Sequence, residues 1–290
     1  MPNLKEIRAR ISSVASTEKI TNAMKMVAAA KLRKSEGITT SFLPYRNKLS
    51  EALSNYLSSL EEKVSIPLAE SREVKRVAIL AFASSSGLCG VYNANVNKLF
   101  KQTYDKYLSQ LGAENIDTYL FGKKLNDYAK KMGLKPTEAN EGLSEILSYD
   151  KAADVSDRLV QQFLDHHIDC VVMVYNHFKN AGVQTPTSDT VLPLATDTLE
   201  PGKNYDYLVE PSKEEFINAL VPKVIRTKFY SIMLDALTAE HGARMTAMHI
   251  ASDNANALLQ DLKIQYNKAR QNVITNELID IVGGAEAIQS

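Results

Sequence analysis

The first sixty residues carry the spacing of hydrophobic positions expected for a long helix. Leu4, Ile7, Ile11 and Val14 recur at intervals of three and four residues, which is the seam of a coiled coil. After residue 14 the seam positions become polar while apolar residues continue on a shifted face, so we expect a slip in the repeat and a local change of supercoil pitch. The polar positions are Glu18, Thr21 and Lys25, and the apolar ones are Ile20, Met24 and Val27. Pro44 predicts a kink or break near residue 43.

The last eighty residues predict a second set of helices. Ser212 to Glu215 form a capping box that begins a short helix, and Pro222 suits the first turn of another one. From residue 223 to 282 there is one glycine and no proline, so this helix is too long for a globular core and needs a partner. The N-terminal segment is the obvious partner, which predicts an antiparallel hairpin of the two terminal helices.

A ladder with a period of 3.5 residues runs along this C-terminal helix, and polar residues interrupt it. The apolar positions are Tyr230, Leu234, Leu237, Met248, Ala251, Ala255, Leu258, Leu262, Ala269 and Ile279. The interruptions are His241, Arg244, Gln265, Asn272 and Asn276. Polar seam residues either fix the register of a coiled coil or contact other chains. For Arg244 both readings stay open: it snorkels outward from the seam, or it is a docking contact.

The middle of the chain alternates strand and helix patterns. Strands are predicted at 75–82, 116–121, 168–178 and 189–194, and helices at 93–111, 123–132 and 151–166. This alternation is typical of an α/β domain with a mainly parallel sheet. The predicted fold is therefore a long antiparallel coiled coil of N- and C-terminal helices with an inserted Rossmann-like α/β domain. Its parts are an N-terminal helix at 1–60, the α/β domain at 74–205 and a C-terminal helix at 211–290.

The charge of the chain is zero overall, with 34 basic and 34 acidic residues, but the first 48 residues hold ten basic and three acidic ones. Such a segment faces an acidic partner, a nucleic acid or solvent. Since no run of 18 apolar residues occurs, no transmembrane helix is expected. The N-terminus lacks the features of a signal or transit peptide, and two cysteines fit a reducing compartment.

Candidate chemistry is sparse. Gly87 to Gly90 follow a predicted strand and precede a helix, where α/β domains bind phosphates, but they lack the G-x-G-x-x-G fingerprint. Their glycines are better explained by a tight turn. Cys89 has no evident base. The three histidines His166, His167 and His177 lack the spacing of metal ligands. We therefore expect no catalytic site, no cofactor and no metal.

Both ends of the chain nevertheless carry specific motifs. Residues 20–31 and 266–277 resemble the N- and C-terminal signatures of the γ subunits of F-type ATP synthases. Residues 243–248 and the turn at 87–90 are similar to further motifs of that family, and so are Asp280 and the Gly284-Ala285 pair. Ser84 to Ser86 depart from it, since relatives usually carry a charged residue there. The absence of a cysteine-bearing insertion and of a transit peptide favours a bacterial member.

The resemblance implies the central rotor stalk of an ATP synthase. Its expected partners are the α3β3 hexamer of F1, the ε subunit and the c-ring of Fo, with no nucleic acid. The stalk would couple proton-driven rotation of the c-ring to ATP synthesis or hydrolysis on the β subunits, and it would regulate ATPase activity and proton flow. The chain itself would be non-catalytic, and it would lie on the cytoplasmic side of the cell inner membrane, touching the membrane only through Fo.

The resemblance also assigns contact residues. Those expected at the β subunits are Met24, Arg244, Arg270, Gln271 and Thr275. Those expected at the foot, near the c-ring and ε, are Tyr207 and Glu210. Those expected at the tip, which turns in an apolar bearing, are Ile281, Val282, Ala285 and Ile288.

Two other classes of function remain as alternatives at this stage. One is a nucleic-acid-binding coiled coil that uses the basic N-terminal segment, although few aromatic residues interleave with its basic ones. The other is an α/β enzyme with helical dimerisation arms.

Overall fold

A computed structural model describes residues 4–58, 66–140, 148–195, 209–210 and 212–289. The chain divides into two compact units. The first unit contains Met1–Ala28 and Met245–Ser290, and the second contains Ala29–Arg244. These divisions fall inside the two terminal helices, and the predicted domain limits at 60, 74, 205 and 211 stay predictions.

Helix α1 spans Leu4–Ser58 and helix α5 spans Lys213–Gln289, each without interruption. Helix α1 therefore does not break at Pro44, while a kink near residue 43 stays a prediction. The predicted second helix at Pro222 is wrong, because Pro222 lies inside α5. A proline inside a helix costs about 3 kcal/mol. Beside Pro222, α5 buries Leu220, Val221 and Val224 in the core, and each large apolar side chain buried contributes roughly 1.5–3 kcal/mol. Tertiary packing thus outweighs the local penalty. At the start of α5 the Ser212 hydroxyl accepts the backbone N–H of Glu215 at 3.2 Å, which is one of the two hydrogen bonds of the predicted capping box.

The seam of α1 continues through its polar positions, whereas only Met24 of the three residues expected on the shifted face is half-buried. The predicted change of supercoil pitch stays a prediction. In the first unit a series of buried or half-buried positions recurs at alternating intervals of three and four, namely Leu4, Ile7, Ile11, Val14, Glu18, Thr21, Lys25 and Ala28. Ile20 and Val27, which were expected to continue the stripe, are 59% and 58% exposed. Long polar side chains can occupy seam positions because their aliphatic stems cover apolar surface while the charged ends reach water.

Helix α5 shows the matching pattern within the first unit. Its less exposed seam positions are Met248, Ser252, Ala255, Leu259, Leu262, Tyr266 and Ala269, again at intervals of four and three. The sequence ladder placed Leu258 on this seam, but it is 43% exposed, while the small polar Ser252 is buried. From Arg270 to Ala285 every side chain that the structure describes is exposed.

The second unit contains a five-stranded sheet. Its strands are β1 (Val77–Phe82), β2 (Ile116–Phe121), β3 (Glu138–Asn140), β4 (Cys170–Asn180) and β5 (Val183–Leu192). Their order is β3-β2-β1-β4-β5; β5 runs antiparallel to β4 and the other pairs are parallel. The mainly parallel sheet is as predicted, whereas β3 was not predicted and β5 begins earlier than expected.

Helices cover both faces of this sheet. The remaining helices are α2 (Tyr92–Leu111), α3 (Lys123–Lys131) and α4 (Tyr149–Leu164). Ala78, Leu80 and Phe82 of β1 share a core with α4 and with the parts of α1 and α5 that belong to this unit. The alternate residues of β1 share a second core with α2 and α3. Because successive residues of a strand point to opposite faces, an unbroken apolar strand such as β1 is buried on both sides.

Candidate functional site

The crevice at which an α/β sheet usually binds a ligand is filled by the chain itself. In the order β3-β2-β1-β4-β5 the chain moves outward from β1 to β2 and β3 and then returns to the other side of β1 to form β4. Helix α2 packs on one face of the sheet and α4 on the other, so the switch point of the topology lies beside β1. There, Cys89 and Tyr92 form a buried cluster with Ala239 and Ala243 of α5. The Tyr92 hydroxyl also donates to the carbonyl of Ala236 at 2.9 Å. The second unit thus uses this crevice to anchor α5.

The turn at 87–90 is held by side-chain hydrogen bonds. The side-chain amide of Asn93 donates to Ser84 Oγ at 2.8 Å and to Cys89 Sγ at 3.1 Å. Its Oδ1 accepts the backbone N–H of Ser84 at 3.1 Å. Gly90 has a φ of +59°, in the left-handed region that glycine adopts easily. These contacts support the structural interpretation of the glycines.

Arg244 binds this same turn. Its guanidinium donates to Glu240 Oε1 at 2.8 Å, to Ser86 Oγ at 2.9 Å and to the Ser86 carbonyl at 3.3 Å. The side chain is 12% exposed and that of Glu240 is 9% exposed. Arg244 therefore neither snorkels into water nor presents a free charge, and it braces α5 against the turn. Its contact with a β subunit stays a prediction.

A second polar group ties the β4–β5 hairpin to α5. Asp235 of α5 accepts the backbone N–H of Phe178 at 3.0 Å and pairs with His177 Nδ1 at 2.5 Å. Burial raises the pKa of Asp235, although both hydrogen bonds act in the opposite direction. Within the described ranges, no group of three or more metal-ligating side chains converges.

The remaining predicted contact residues fall on different parts of the molecule. Met24 is half-buried on α1. Arg270, Gln271 and Thr275 lie within two turns of α5 and are exposed. Arg270 has no acidic partner in the described part of the chain.

The foot and tip residues are placed only in part. Glu210 is exposed, whereas Tyr207 lies outside the described residues. Ile281 and Val282 are 67% and 58% exposed, and Ala285 is exposed as well. Ile288 belongs to α5, but its side chain lies outside what the structure describes.

The end of α5 also exposes apolar side chains that sequence reasoning did not single out as surface. They are Val273, Ile274, Leu278 and Ile279. At 100° per residue, the apolar positions from 273 to 282 spread over more than one face of the helix. That distribution was the available signal, since a helix apolar on several faces needs to be covered on several sides. None of the described helices is long and apolar enough to cross a bilayer.

Comparison with known proteins covers the whole chain. A family model described as "ATP synthase" matches residues 3–288. An "ATP synthase gamma chain" of Bacteroides fragilis is 47% identical, covering 99% of this chain and 100% of the relative. One of Flavobacterium johnsoniae is 45% identical, with 99% of each chain covered.

Solved structures share the fold. A chain of the Euglena gracilis mitochondrial ATP synthase, in a structure of OSCP, F1 and c-ring, superposes with a TM-score of 0.64 over 98% of this chain and 94% of its own length, at 20% identity. A chain from the central stalk and c-ring of the Tetrahymena thermophila enzyme gives 0.57 over 80% of this chain and 99% of its own, at 23% identity.

Proposed function

Because this chain belongs to the family of ATP synthase γ chains, we propose that it is the central shaft that couples rotation of the c-ring to catalysis on the β subunits. Family membership over the full length is the observation that carries the proposal, and it favours this role over a nucleic-acid-binding coiled coil or a separate α/β enzyme. In this role the chain performs no chemistry itself. It lies on the cytoplasmic side of the cell inner membrane and contacts the membrane only through Fo.

The exposed apolar side chains at the end of α5 support this role. A soluble monomer rarely exposes a large contiguous apolar patch, and such a patch marks an interaction site. From residue 270 to 285 all described side chains are exposed, and Ile281 is as much as 67% exposed. A surrounding collar of α and β subunits would cover a helix that is apolar on several sides. The tip residues Ile281, Val282, Ala285 and Ile288 would then turn in a bearing without strong polar attachment.

A shaft changes the state of its partners only through unequal contacts. One asymmetric rod faces three copies of the β subunit, so each copy meets different side chains and has a different interaction free energy. Arg270 suits a directional contact, since it is exposed and has no acidic partner in the described part of the chain. A β carboxylate could bind it through charge-assisted hydrogen bonds. Met24, Gln271 and Thr275 would complete this contact.

The other end of the shaft would stand on the c-ring beside the ε subunit. Glu210 is exposed and lies three positions before the first residue of α5, which agrees with such a foot. Tyr207 would belong to the same contact. Through both ends the chain would transmit torque and regulate ATP hydrolysis and proton flow.

The proposal can be tested by substituting Arg270 and measuring the coupled ATP turnover of the assembled complex. Arg270→Ala should leave assembly intact and lower coupled ATP turnover roughly tenfold, because a hydrogen bond to a charged group contributes about 1.5–3 kcal/mol. Lys268→Ala is the matched control, since Lys268 is an exposed cation on the same helix. Equal turnover in the two variants would remove Arg270 from the contact. Failure of the native chain to recover three α and three β subunits on purification would contradict the shaft itself.

A further inference from the structure

A groove lined by aromatic rings lies within the second unit, away from the proposed contacts. Phe42 and Tyr45 of α1, Tyr149 of α4 and Tyr230 of α5 line a cavity of about 710 Å³. Small-molecule sites have volumes of roughly 300–1,000 Å³ and are lined mostly by apolar and aromatic side chains with a few polar groups. The groove has the lining of such a site, and it is a shallow depression that is open to solvent.

Two of the rings that line the groove, Tyr45 and Tyr149, are open to solvent. Phe42 and Tyr230 meet edge to face, with centroids 4.9 Å apart and planes at 83°. Tyr149 and Tyr230 do the same at 5.4 Å and 74°. No pair among these three rings is stacked, since Phe42 and Tyr149 are tilted at 54°. Tyr45 is 51% exposed and Tyr149 is 37% exposed, so a planar ring can reach them from solvent and stack.

Charge selects the class of ligand. Aromatic rings alone would favour a cation. However, Lys34 is the single charged side chain among the described residues that line the groove. It is exposed, and no acidic partner is found for it in the described part of the chain. An ammonium at the rim attracts a carboxylate or sulfonate and repels a cation.

The groove has open space beside α1. Gly37 of α1 lines it, and a Cβ placed on Gly37 would have no neighbour within 4 Å. We propose that this groove binds a planar aromatic anion, with the rings stacking on Tyr45 and Tyr149 and the anionic group on Lys34. The proposal is independent of the shaft function.

The test is titration of the full-length chain with 2-naphthalenesulfonate, followed by ligand-observed NMR. A ligand of this size should bind with a Kd on the order of 1 mM. Lys34→Met should weaken binding roughly threefold, as expected for an exposed charge pair. Arg33→Met is the matched control, because it removes an exposed cation one position away that does not line the groove, and it should leave Kd unchanged.

A blocking variant locates the site. Gly37→Leu fills the open space with a residue of higher helix propensity, and it should abolish binding while circular dichroism shows a folded chain. Undiminished binding to Gly37→Leu would overturn the proposal, and so would equal or tighter binding of 2-naphthyltrimethylammonium. Binding that disappears when the chain is assembled with its partner subunits would assign the groove to a protein partner and also overturn it.

Discussion

Replacing Arg244 with methionine should destabilise the second unit strongly. The guanidinium holds Glu240 at 2.8 Å in a site where the two side chains are 12% and 9% exposed. Removing one member of a buried ion pair costs roughly 3–5 kcal/mol. At about 2–4 °C per kcal/mol for a protein of this size, the melting temperature should fall by roughly 10 °C.

The assay is thermal unfolding of the full-length chain, followed by the near-ultraviolet circular dichroism of tyrosine. The chain has no tryptophan, so the near-ultraviolet signal comes mainly from tyrosine. The buried Tyr92 lies in the cluster beside Arg244 and interacts electrostatically with its guanidinium. The matched control is Lys48→Met, which breaks the pair with Glu51. That pair joins side chains that are 77% and 53% exposed, so its loss should cost about 0–1 kcal/mol.

A double variant separates the loss of the pair from the loss of packing. Arg244→Met combined with Glu240→Leu removes both charges, and it should recover most of the lost stability because apolar residues replace a buried pair at little cost. The reasoning is refuted if Arg244→Met destabilises the chain no more than Lys48→Met. It is also refuted if the double variant is less stable than the single one.

Two glycines and one histidine give further predictions. Gly37→Ala should stabilise the chain by about 0.4–1 kcal/mol in urea titrations, because the site is helical and has open space around a new Cβ; a loss of stability would contradict this. Gly242→Ala should instead cost about 1 kcal/mol, because the new Cβ would lie 2.9 Å from Phe178 Cε2 and 3.3 Å from Ala181 Cα; a gain equal to that of Gly37→Ala would show that the neighbours yield. Burial lowers the pKa of His241 to about 4, so the unfolded chain binds more protons and stability should fall by about 3 kcal/mol as pH drops from 6.5 towards 4. His241→Leu should flatten this part of the pH profile, and an unchanged slope would assign it to other groups.

The elements of the α/β domain were predictable because their patterns are local. β1 is a continuous apolar run, and the glycines at 112, 122 and 133 mark turns with positive φ. β3 was missed because it has only three residues, none of them buried. Pro222 was misjudged because its local penalty is visible in the sequence, whereas the packing that outweighs it is not.

The seams show the same limit. The polar seam positions Glu18 and Lys25 suggested that the apolar stripe moves to another face, yet both residues are half-buried on the original seam of α1. Ser252 hid the register of α5, so Leu258 was placed on the wrong face. A binary pattern of apolar and polar residues cannot distinguish a long charged side chain at a seam from one in solvent.

The contact of Arg244 with the turn at 87–90 and with Ser86 could not be predicted from the sequence, for a different reason. Ser86 and Arg244 are 158 positions apart, and only the fold brings the turn and α5 together. By contrast, the exposed end of α5 could be recognised from apolar residues on several faces. The long-range contacts of the polar residues therefore had to come from the structure.

Rotation of this chain inside a complex of α and β subunits tests the account most directly. Cys89 and Cys170 are buried, so Gln110→Cys at an exposed position of α2 offers a selective attachment point for an optical probe. With the β subunits immobilised and ATP supplied, the probe should turn in one direction, with pauses that repeat with threefold symmetry. A probe that stays still while the same complex hydrolyses ATP would contradict the account.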